Sequence, residues 1–421
     1  MARWQKRCGE RVYKLHYLDN FAGLGKQVYI LCLVRVLGAI SFMASFMTPL
    51  LFQDVLGMSS LESGFYISVS YAACIVGTII GGHIADRMSR RKVAMGIMLI
   101  VGITQLWSVF VCRSRMVIVP VVLGFGAGYG LFPVISAMVA DVCKPEKSTE
   151  SFSLMYLVQN IGFAVGPAVG GLLFYHHLEG MFWLGTAVCA ATVLVLAFFT
   201  EDHYDPAQSA AASLRQGVKK ENTLKLLYER KPLFIFICAM LVISMCYQML
   251  NFDLPLQLSN LFGPQDGSRY SGLIWTVNGA VVILLTPLIV SFTKKQHQFR
   301  NMGLALVFYA IGFVLNGSSK SVVLFYVATA IWTIGEIMIN TGSAAFIAAN
   351  SPATHVARFQ SALETCIAAG KTVSPTLYGA MLGVLSFRSC WLLNACVCLA
   401  VSAFLVAMYR RYAAPRGGSH E

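Results

Sequence analysis

Eleven residues between two long apolar segments read Gly82-His-Ile-Ala-Asp86-Arg87-Met-Ser-Arg90-Arg91-Lys92. Gly82 allows another helix to approach closely, because it has no side chain. Asp86 can accept hydrogen bonds from a helix N-terminus or pair with an arginine. The basic residues at the end of the stretch favour the cytoplasmic side of a membrane. The stretch therefore predicts a short cytoplasmic loop between two membrane-spanning helices.

The composition of the whole chain agrees with a membrane protein. The 421 residues are 57% hydrophobic and only 12% charged, with a mean hydropathy of +0.67. Soluble domains have about 25% charged residues, so most soluble enzymes are excluded, and so is disorder, which requires low hydrophobicity. The net charge of +13 comes from short basic clusters between apolar runs. This distribution argues against a nucleic-acid partner and makes the lipid bilayer the expected one.

The sequence lacks the short motifs of catalytic, metal and nucleotide sites. It contains no GxxxxGK[ST] phosphate loop, no HExxH zinc motif and no GxSxG nucleophile elbow. The twelve cysteines are isolated, without a CxxC pair, so we expect packing roles rather than metal sites or disulfides. No cleavable signal peptide is expected, because the first 27 residues lack a long apolar core. We expect neither an enzyme nor a bound cofactor or metal.

Twelve windows are apolar and long enough to cross a membrane, which takes about 20 residues as a helix. They lie near 28–52, 61–84, 93–112, 117–140, 152–175, 180–199, 233–258, 271–292, 301–316, 321–349, 359–384 and 389–409. A polar stretch separates the first six from the last six. The windows predict an all-α membrane protein with twelve transmembrane helices. Its parts are an N-terminal segment 1–27, a six-helix half 28–199, a linker 200–232, a second six-helix half 233–409 and a tail 410–421.

Lysine and arginine mark the cytoplasmic side of membrane proteins. With the N-terminus placed inside, the inside segments carry 25 of these residues and the outside loops carry 5. This imbalance predicts a multi-pass protein of the cell membrane whose termini and linker are cytoplasmic.

The two halves share sequence marks at a nearly constant offset. Pro49 in span 1 matches Pro255 in span 7, 206 residues later. Span 5 reads Gly162-xxx-Gly166-Pro167-xxx-Gly171, and span 11 reads Gly370-xxx-Ser374-Pro375-xxx-Gly379, 208 residues later. A duplicated six-helix unit is a transporter architecture, with the substrate site between the halves. A channel or a membrane enzyme is not excluded by the repeat alone.

The loop at 82–92 resembles the cytoplasmic loop motif of the major facilitator superfamily, G-x-x-x-D-R-x-G-R-[RK]. The matching residues are Gly82, Asp86, Arg87, Arg90 and Arg91, and Ser89 stands where the family usually has glycine. The resemblance implies two pseudo-symmetric six-helix bundles around a central cavity, alternating access, and a gating role for this loop. It also implies a small-molecule substrate and a monomeric protein. A positive-inside loop without a gating role is the alternative.

The span 5 sequence is similar to the antiporter signature of the drug:proton branch of this superfamily. It reads Gly162-Phe-Ala-Val-Gly166-Pro167-Ala-Val-Gly170-Gly171. Small residues at this spacing let helices pack closely, and proline bends a helix. The resemblance implies that this kink takes part in alternating access; a close-packed, kinked helix with no role in direction is the alternative. The arginine of many proton antiporters, twelve residues before the proline of the fourth helix, is replaced here by Val121.

Ionisable residues inside membrane spans are costly and are functional candidates by default. The sequence places five of them in spans: Arg35, Asp253, Glu336, Glu364 and Lys371. They are candidates for proton coupling or for binding a charged substrate. Arg35 either snorkels to the cytoplasmic surface or faces the cavity as a cation. Glu364 lies close enough to the cytoplasmic end of its span to be hydrated.

Glu336 and Lys371 lie near the middle of spans 10 and 11. Because these spans run in opposite directions, the two residues are expected at similar depth. They are predicted to form one electrostatic unit that exchanges a proton or a substrate charge, with a static bridge as the alternative. Asp253 lies beside Pro255 in the polar stretch 247–255, which predicts either a broken helix facing water or a solvated helix end.

The function expected from the sequence is secondary active transport of a small molecule by alternating access. Residues expected to line the substrate cavity are Phe46, Gln248, Asn251, Trp332 and Asn340. The leading prediction is proton-coupled efflux of an apolar or amphipathic compound. Proton-coupled uptake of a small anionic metabolite, with Arg35 and Lys371 as its ligands, is one alternative, and lipid translocation is another.

Overall fold

The computed structural model describes residues 21–201, 228, 230–293, 296–351 and 356–412. In these ranges the chain forms twelve long helical segments and no strand. They are α1 (Lys26–Val55), α2 (Ser60–Ala85), α3 (Arg90–Val111), α4 (Arg115–Val142), α5 (Ser148–Phe174), α6 (Leu178–Phe199), α7 (Lys231–Phe262), α8 (Pro264–Thr293), α9 (Gln298–Ser318), α10 (Val322–Asn350), α11 (Val356–Leu382) and α12 (Phe387–Tyr412). The predicted all-α fold with twelve helices is confirmed.

Much of the predicted N-terminal segment, linker and tail falls on 1–20, 202–227 and 413–421, which lie outside the described residues. The domain boundaries therefore stay predictions.

Eleven of the twelve helices are long and apolar enough to cross a membrane. The exception is α11, which carries Glu364 and Lys371 in its span. It packs along α2 and α7, both of which are candidate membrane spans. We therefore place α11 among the spans, at the cost of two charged groups that require polar surroundings.

Two spans near the centre of the chain are longer than their apolar windows. Helix α7 runs to Phe262, and α8 starts at Pro264. Gly263 connects them with a φ of 83°, a conformation that favours glycine. The polar residues 264–270, predicted to be an outside loop, instead form the first turns of α8, because a helix can continue into water beyond its apolar part.

Helix α7 is continuous through Pro255. The predicted break at 247–255 is therefore wrong. Neighbouring helices supply partners for some polar groups in and just beyond this segment. The Tyr247 hydroxyl donates to Glu336 of α10 at 3.2 Å, and Gln257 donates from Nε2 to the Asn316 carbonyl at 2.9 Å and accepts from Trp391 Nε1 at 2.6 Å. Polar residues in a span do not require a break when other helices satisfy their hydrogen bonds.

The two halves use the same helix pairs. In the first half α1 packs on α5, α2 on α4 and α3 on α6. In the second half α7 packs on α11, α8 on α10 and α9 on α12. The fold is thus two pseudo-symmetric six-helix bundles, as the repeat predicts.

Contacts between the halves repeat with the same symmetry. Gly64 of α2 lies so close to the Pro375 carbonyl of α11 that a side chain has no room. Gly272 of α8 lies against the Pro167 carbonyl of α5 in the same way. The two contacts are related by the offset of 208 residues found in the sequence.

A second pair of contacts obeys the same offset. Gly379 of α11 lies against the Ser60 carbonyl of α2. Gly171 of α5 lies against the Ser268 carbonyl of α8. Glycine is required at these positions because the two backbones touch.

The two ends of the bundle differ. We call the end with the 86–89 loop the basic end and the opposite end the far end. Hydrogen bonds between the halves join Ser259 Oγ to Asp54 Oδ2 (2.5 Å), Thr276 Oγ1 to the Ala164 carbonyl (2.8 Å) and Thr376 Oγ1 to Ser68 Oγ (2.7 Å). All six residues lie in the far-end half of their helices, as do the four glycine contacts. The far end is therefore closed.

Candidate functional site

A cavity of about 280 Å³ lies between the two halves. Six of the predicted site residues line it: Phe46, Gln248, Asn251, Glu336, Asn340 and Lys371. Two of its lining residues, Tyr156 and Asn340, are exposed on the side of the basic end. The cavity is thus closed toward the far end and open toward the basic end.

Both carboxylate oxygens of Glu336 have hydrogen-bond partners. The Tyr247 hydroxyl donates to Oε1 at 3.2 Å, and Asn278 Nδ2 donates to Oε2 at 2.7 Å. Asn278 Nδ2 also lies 3.0 Å from Thr333 Oγ1. Helices α7, α8 and α10 therefore fix this carboxylate at the cavity wall.

Lys371 lines the same cavity and has no direct partner among the described residues. No ion pair among the described residues includes it. Glu364 and Glu336 act on it electrostatically from beyond ion-pairing distance. The structure thus brings Glu336 and Lys371 to one cavity but forms no direct bridge between them, because Tyr247 and Asn278 hold the carboxylate.

Arg35 is held by neutral partners. Its Nε and Nη2 both donate to Gln159 Oε1, at 3.0 and 2.6 Å, and Nη1 donates to the Phe132 carbonyl at 2.8 Å. Its guanidinium also lies 4.4 Å from the centre of the Phe132 ring. Arg35 does not reach the surface, and it does not line the cavity. It can influence the cavity only through Gln159, which is one of the lining residues. Because both bonds use Oε1, Gln159 keeps Nε2 for a ligand.

Asp253 and Trp332 lie behind the cavity wall. Asp253 is 0% exposed, and neither of its oxygens has a hydrogen-bond partner in the part of the chain that the structure describes. Both predictions for it, a water-facing break and a solvated helix end, are wrong, since α7 continues beyond it and other helices cover it. Trp332 is fully buried and packs edge-on against Tyr247 and Trp275, with ring centres 6.0 and 6.2 Å apart. It supports aromatic side chains of the wall rather than lining the cavity.

Glu364 lies outside the cavity. It is exposed on α11, nearer the basic end than Lys371. Gln360 Nε2 donates to its Oε1 at 3.2 Å.

Several lining residues were not predicted from the sequence. They include Gln159, Asn160, Phe163, Trp275 and Asn278. The three amides carry a usable signal, because an isolated amide in an apolar span needs a polar partner or a cavity. The two aromatic residues carry none, since phenylalanine and tryptophan are equally common facing lipid.

The tight helix contact expected at Gly82 occurs elsewhere. A side chain at Gly82 would meet nothing within 4 Å. Gly81, the residue before it, and Gly77, one turn earlier, lie directly against Gly130 and Gly126 of α4. Gly77 and Gly81 are therefore the glycines that allow α4 to pack closely on α2.

The arginines of the 82–92 loop bind neighbouring helices of the first half. Arg90 forms an ion pair with Asp141. Arg91 donates to the Leu196 carbonyl at 2.9 Å, near the C-terminus of α6, where carbonyl groups lack helical partners. These bonds fix the loop to its own half, and its gating role stays a prediction.

The serine at position 89, where the family motif usually has glycine, has a local structural role. Ser89 precedes α3, and its Oγ accepts from the Lys92 N–H at 3.2 Å as a helix N-cap. Asp86 and Arg87 are exposed at the end of α2.

The glycines of α5 face two different helices. Those directed at α1 are Gly162, Gly166 and Gly170, and the one directed at α8 is Gly171. Pro167 is buried beside them, and its carbonyl contacts Gly272. The glycine–proline stretch thus packs one helix against its own half and against the other half at once.

The model of the Major Facilitator Superfamily matches residues 30–366. The chain belongs to the Major Facilitator Superfamily. The resemblance noted in the sequence is confirmed over most of the chain, from α1 into the first part of α11.

Similar proteins of this superfamily include transporters of several kinds. A Na(+), Li(+), K(+)/H(+) antiporter of Planococcus maritimus is 20% identical, over 74% of this chain and 80% of its own. A multidrug resistance efflux pump PmrA homolog of Lactococcus lactis subsp. lactis (strain IL1403) is 21% identical, over 79% of this chain and 81% of its own. The crystal structure of the nucleoside transporter NupG superposes with a TM-score of 0.74 at 16% identity, covering 91% of this chain and 99% of that one. This last likeness concerns the fold.

Membership of the superfamily settles the general activity. The protein is a multi-pass membrane transporter of small molecules and not an enzyme. Its central cavity lies where two pseudo-symmetric halves meet, which is where such transporters bind their substrates.

Proposed function

We propose that this protein is a proton-coupled secondary transporter that carries a small organic anion together with a proton. The observation that carries the proposal is the presence of Glu336 and Lys371 on one cavity without an ion pair between them. An anion bound to Lys371 and a proton bound to Glu336 would each neutralise one charge.

The total charge of the cavity gives a physical reason why anion transport would be coupled to proton transport. The empty cavity holds one negative and one positive group, and the cavity loaded with both anion and proton has the same total charge. A cavity with only the anion or only the proton carries one extra charge, which is costly to move through the membrane interior. Only the empty and the fully loaded forms would therefore change conformation readily, and this makes symport obligatory.

The proposed orientation follows from the basic residues. The basic end would lie in the cytoplasm of a cell with the protein in its cell membrane, because 25 lysines and arginines fall on that side and 5 on the other. Both termini would then be cytoplasmic, and the conformation described above would open to the cytoplasm.

Proton-coupled efflux of an apolar or amphipathic compound, which the sequence predicts first, is the second candidate. The glycine–proline stretch of α5 and the names of the antiporter and the efflux pump favour it. The unpaired Lys371 favours the anion instead, since a cationic drug would meet a like charge in the cavity.

Transport by the purified protein in proteoliposomes tests the proposal. With an acidic exterior, we expect radiolabelled carboxylates to accumulate inside beyond the passive uptake of the neutral acid by protein-free liposomes, and this excess to disappear when the pH gradient is abolished. Accumulation of a lipophilic cation such as tetraphenylphosphonium in acid-loaded vesicles, without carboxylate transport, would establish antiport and refute symport.

The role of Glu336 is tested in the same assay. Glu336→Gln is expected to exchange labelled for unlabelled anion but not to concentrate it, because the side chain can no longer bind and release a proton. Glu150→Gln is the matched control, since it removes a carboxylate of the same kind in the first turn of α5, outside the cavity. Full accumulation by Glu336→Gln would remove this residue from the proton pathway.

A further inference from the structure

Part of the cavity wall is aromatic and comes from both halves. Phe46 of α1 lies 5.1 Å from Trp275 of α8 and 6.0 Å from Phe163 of α5, measured between ring centres. All three line the cavity. Rings at this spacing present faces and edges on which another ring packs favourably. We call these three residues the aromatic wall.

A second part of the cavity has hydrogen-bond donors without acceptors. Gln248 is 1% exposed, and its Nε2 makes no hydrogen bond of good geometry among the described residues, with the Tyr71 hydroxyl as its polar neighbour, while its Oε1 lies 3.5 Å from Asn251 Nδ2. A buried donor without an acceptor costs free energy that a ligand can recover. Lys371 also has no direct partner in the part of the chain that the structure describes. We call Gln248 and Lys371 the donor pair.

The donor pair lies on two helices in contact. Helices α7 and α11 meet where Gly370 lies against Ser244. Lys371 follows Gly370 directly, and Gln248 lies one turn beyond Ser244. The two donors therefore lie on adjoining turns of these helices, and both line the same cavity, where one carboxylate can accept from them.

We propose that the transported anion is a small aromatic carboxylate, with its carboxylate on the donor pair and its ring on the aromatic wall. This inference rests on the proposed anion–proton symport and names the substrate class of the same site. A cavity of about 280 Å³ is just below the size range of ligand pockets, which is roughly 300–1,000 Å³. It suits one ring with a short acidic side chain better than a larger drug.

The aromatic wall contains residues of both halves, so the ring of a ligand that packs on it can affect how the halves move. The donor pair belongs to the second half only, whereas Phe46 and Phe163 belong to the first half and Trp275 to the second. A ligand whose ring packs on the aromatic wall while its carboxylate binds the donor pair therefore contacts both halves. Contacts with both halves are what allow a ligand to influence their relative position.

Binding to the purified full-length protein tests the proposal with three matched compounds. Phenylacetate has both features, phenylacetamide lacks the charge, and cyclohexylacetate lacks the aromatic ring. By calorimetry we expect phenylacetate to bind about 30-fold more tightly than the amide. We expect it to bind about fivefold more tightly than cyclohexylacetate. Equal affinity for phenylacetate and the amide, or no binding of phenylacetate at millimolar concentration, overturns the proposal.

Variants assign each preference to its residues. Lys371→Gln is expected to abolish the preference for phenylacetate over the amide while amide binding persists, which also shows that the variant is folded. Trp275→Leu is expected to abolish the preference over cyclohexylacetate. Trp183→Leu, at a half-exposed tryptophan outside the cavity, is the control that should change neither. Persistence of the charge preference in Lys371→Gln excludes the donor pair.

Transport separates failure of this inference from failure of the proposed function. If a proton gradient concentrates cyclohexylacetate and not phenylacetate, symport stands and the aromatic class is wrong. If the gradient drives no carboxylate at all, both are wrong.

Discussion

Asp253 is a carboxylic acid sealed inside the second half. It has no exposed surface and no hydrogen-bond partner among the described residues. Burying an unpaired polar group costs free energy. We therefore expect Asp253→Leu, a change of similar volume, to raise the free energy of unfolding by about 1–3 kcal/mol.

Thermal unfolding of the purified protein in detergent measures this change. Glu364→Leu is the control, since its carboxylate is exposed and its loss should leave the midpoint nearly unchanged. A lower midpoint for Asp253→Leu would mean that the carboxyl group has a stabilising partner. Because Asp253 does not line the cavity, substrate binding should persist in the variant.

Arg35 and Gln159 form a second testable unit. The guanidinium donates twice to one amide oxygen, a geometry that the single ammonium of lysine cannot reproduce. Arg35→Lys should lower the free energy of unfolding by about 1–2 kcal/mol.

A double-mutant cycle with Gln159→Leu isolates this interaction. The two losses should be less than additive, with a coupling of about 1 kcal/mol, because either change breaks the same two bonds. Strict additivity would show that Arg35 is held by Phe132 alone.

At the scale of helices, the pairs α2–α11 and α5–α8 close the far end. Gly64 and Gly272 touch backbone carbonyls of the opposite half. Gly64→Val should therefore prevent closure and shift the protein toward a conformation open at the far end. Spin labels on the far ends of α2 and α11 should move apart, and transport should fall by at least about tenfold.

The control for this substitution lies in α3. Gly96 is helical, and a side chain there would meet nothing within 4 Å. Gly96→Val makes the same change in helix propensity without touching the other half. Equal loss of transport in both variants would attribute the effect to helix propensity instead of closure.

Hydropathy predicts helices well but not the faces that they present. The number and order of the spans follow from apolar windows, because only a helix of that length satisfies its backbone in lipid. Asp253 shows what such windows miss, since they do not tell whether a polar side chain meets water or another helix. Glu336 is similar: its partner Asn278 lies 58 positions earlier on another helix, and no spacing rule connects the two.

For the molecule as a whole, Asp54 and Ser259 join the halves at the far end. Their side-chain oxygens are 2.5 Å apart. In a background without native cysteines, Asp54→Cys with Ser259→Cys should form a disulfide that holds the far end closed. Transport should stop under oxidising conditions and return with a reducing agent, while binding from the basic end continues.

The single-cysteine variants are the controls for the cross-link. Each should transport equally with and without the reducing agent. Full transport by the oxidised pair, with the disulfide verified by mass spectrometry, would show that the far end does not open during the cycle.

The repeat is the most informative whole-molecule signal in the sequence. The offset of 208 residues in the glycine–proline stretches predicts the pseudo-symmetry that the helix pairing displays. It does not predict which conformation is occupied, because both conformations of a two-state transporter are compatible with one sequence and differ by only a few kcal/mol. The open side of the cavity could be read only from contacts such as that of Asp54 with Ser259.

The duplicated glycine contacts at the far end determine how substitutions change the equilibrium constant for opening that end. Both sets must separate when that end opens, so their free energies add, and the equilibrium constant of opening is a product of two similar factors. A substitution in one set multiplies this constant once, and the equivalent substitution in the other set multiplies it again. The internal repeat thus gives this transporter two separate sets of contacts, and a substitution in either set shifts the same equilibrium between the closed and open far end. Two changes that are each too mild to notice can together reverse the resting population.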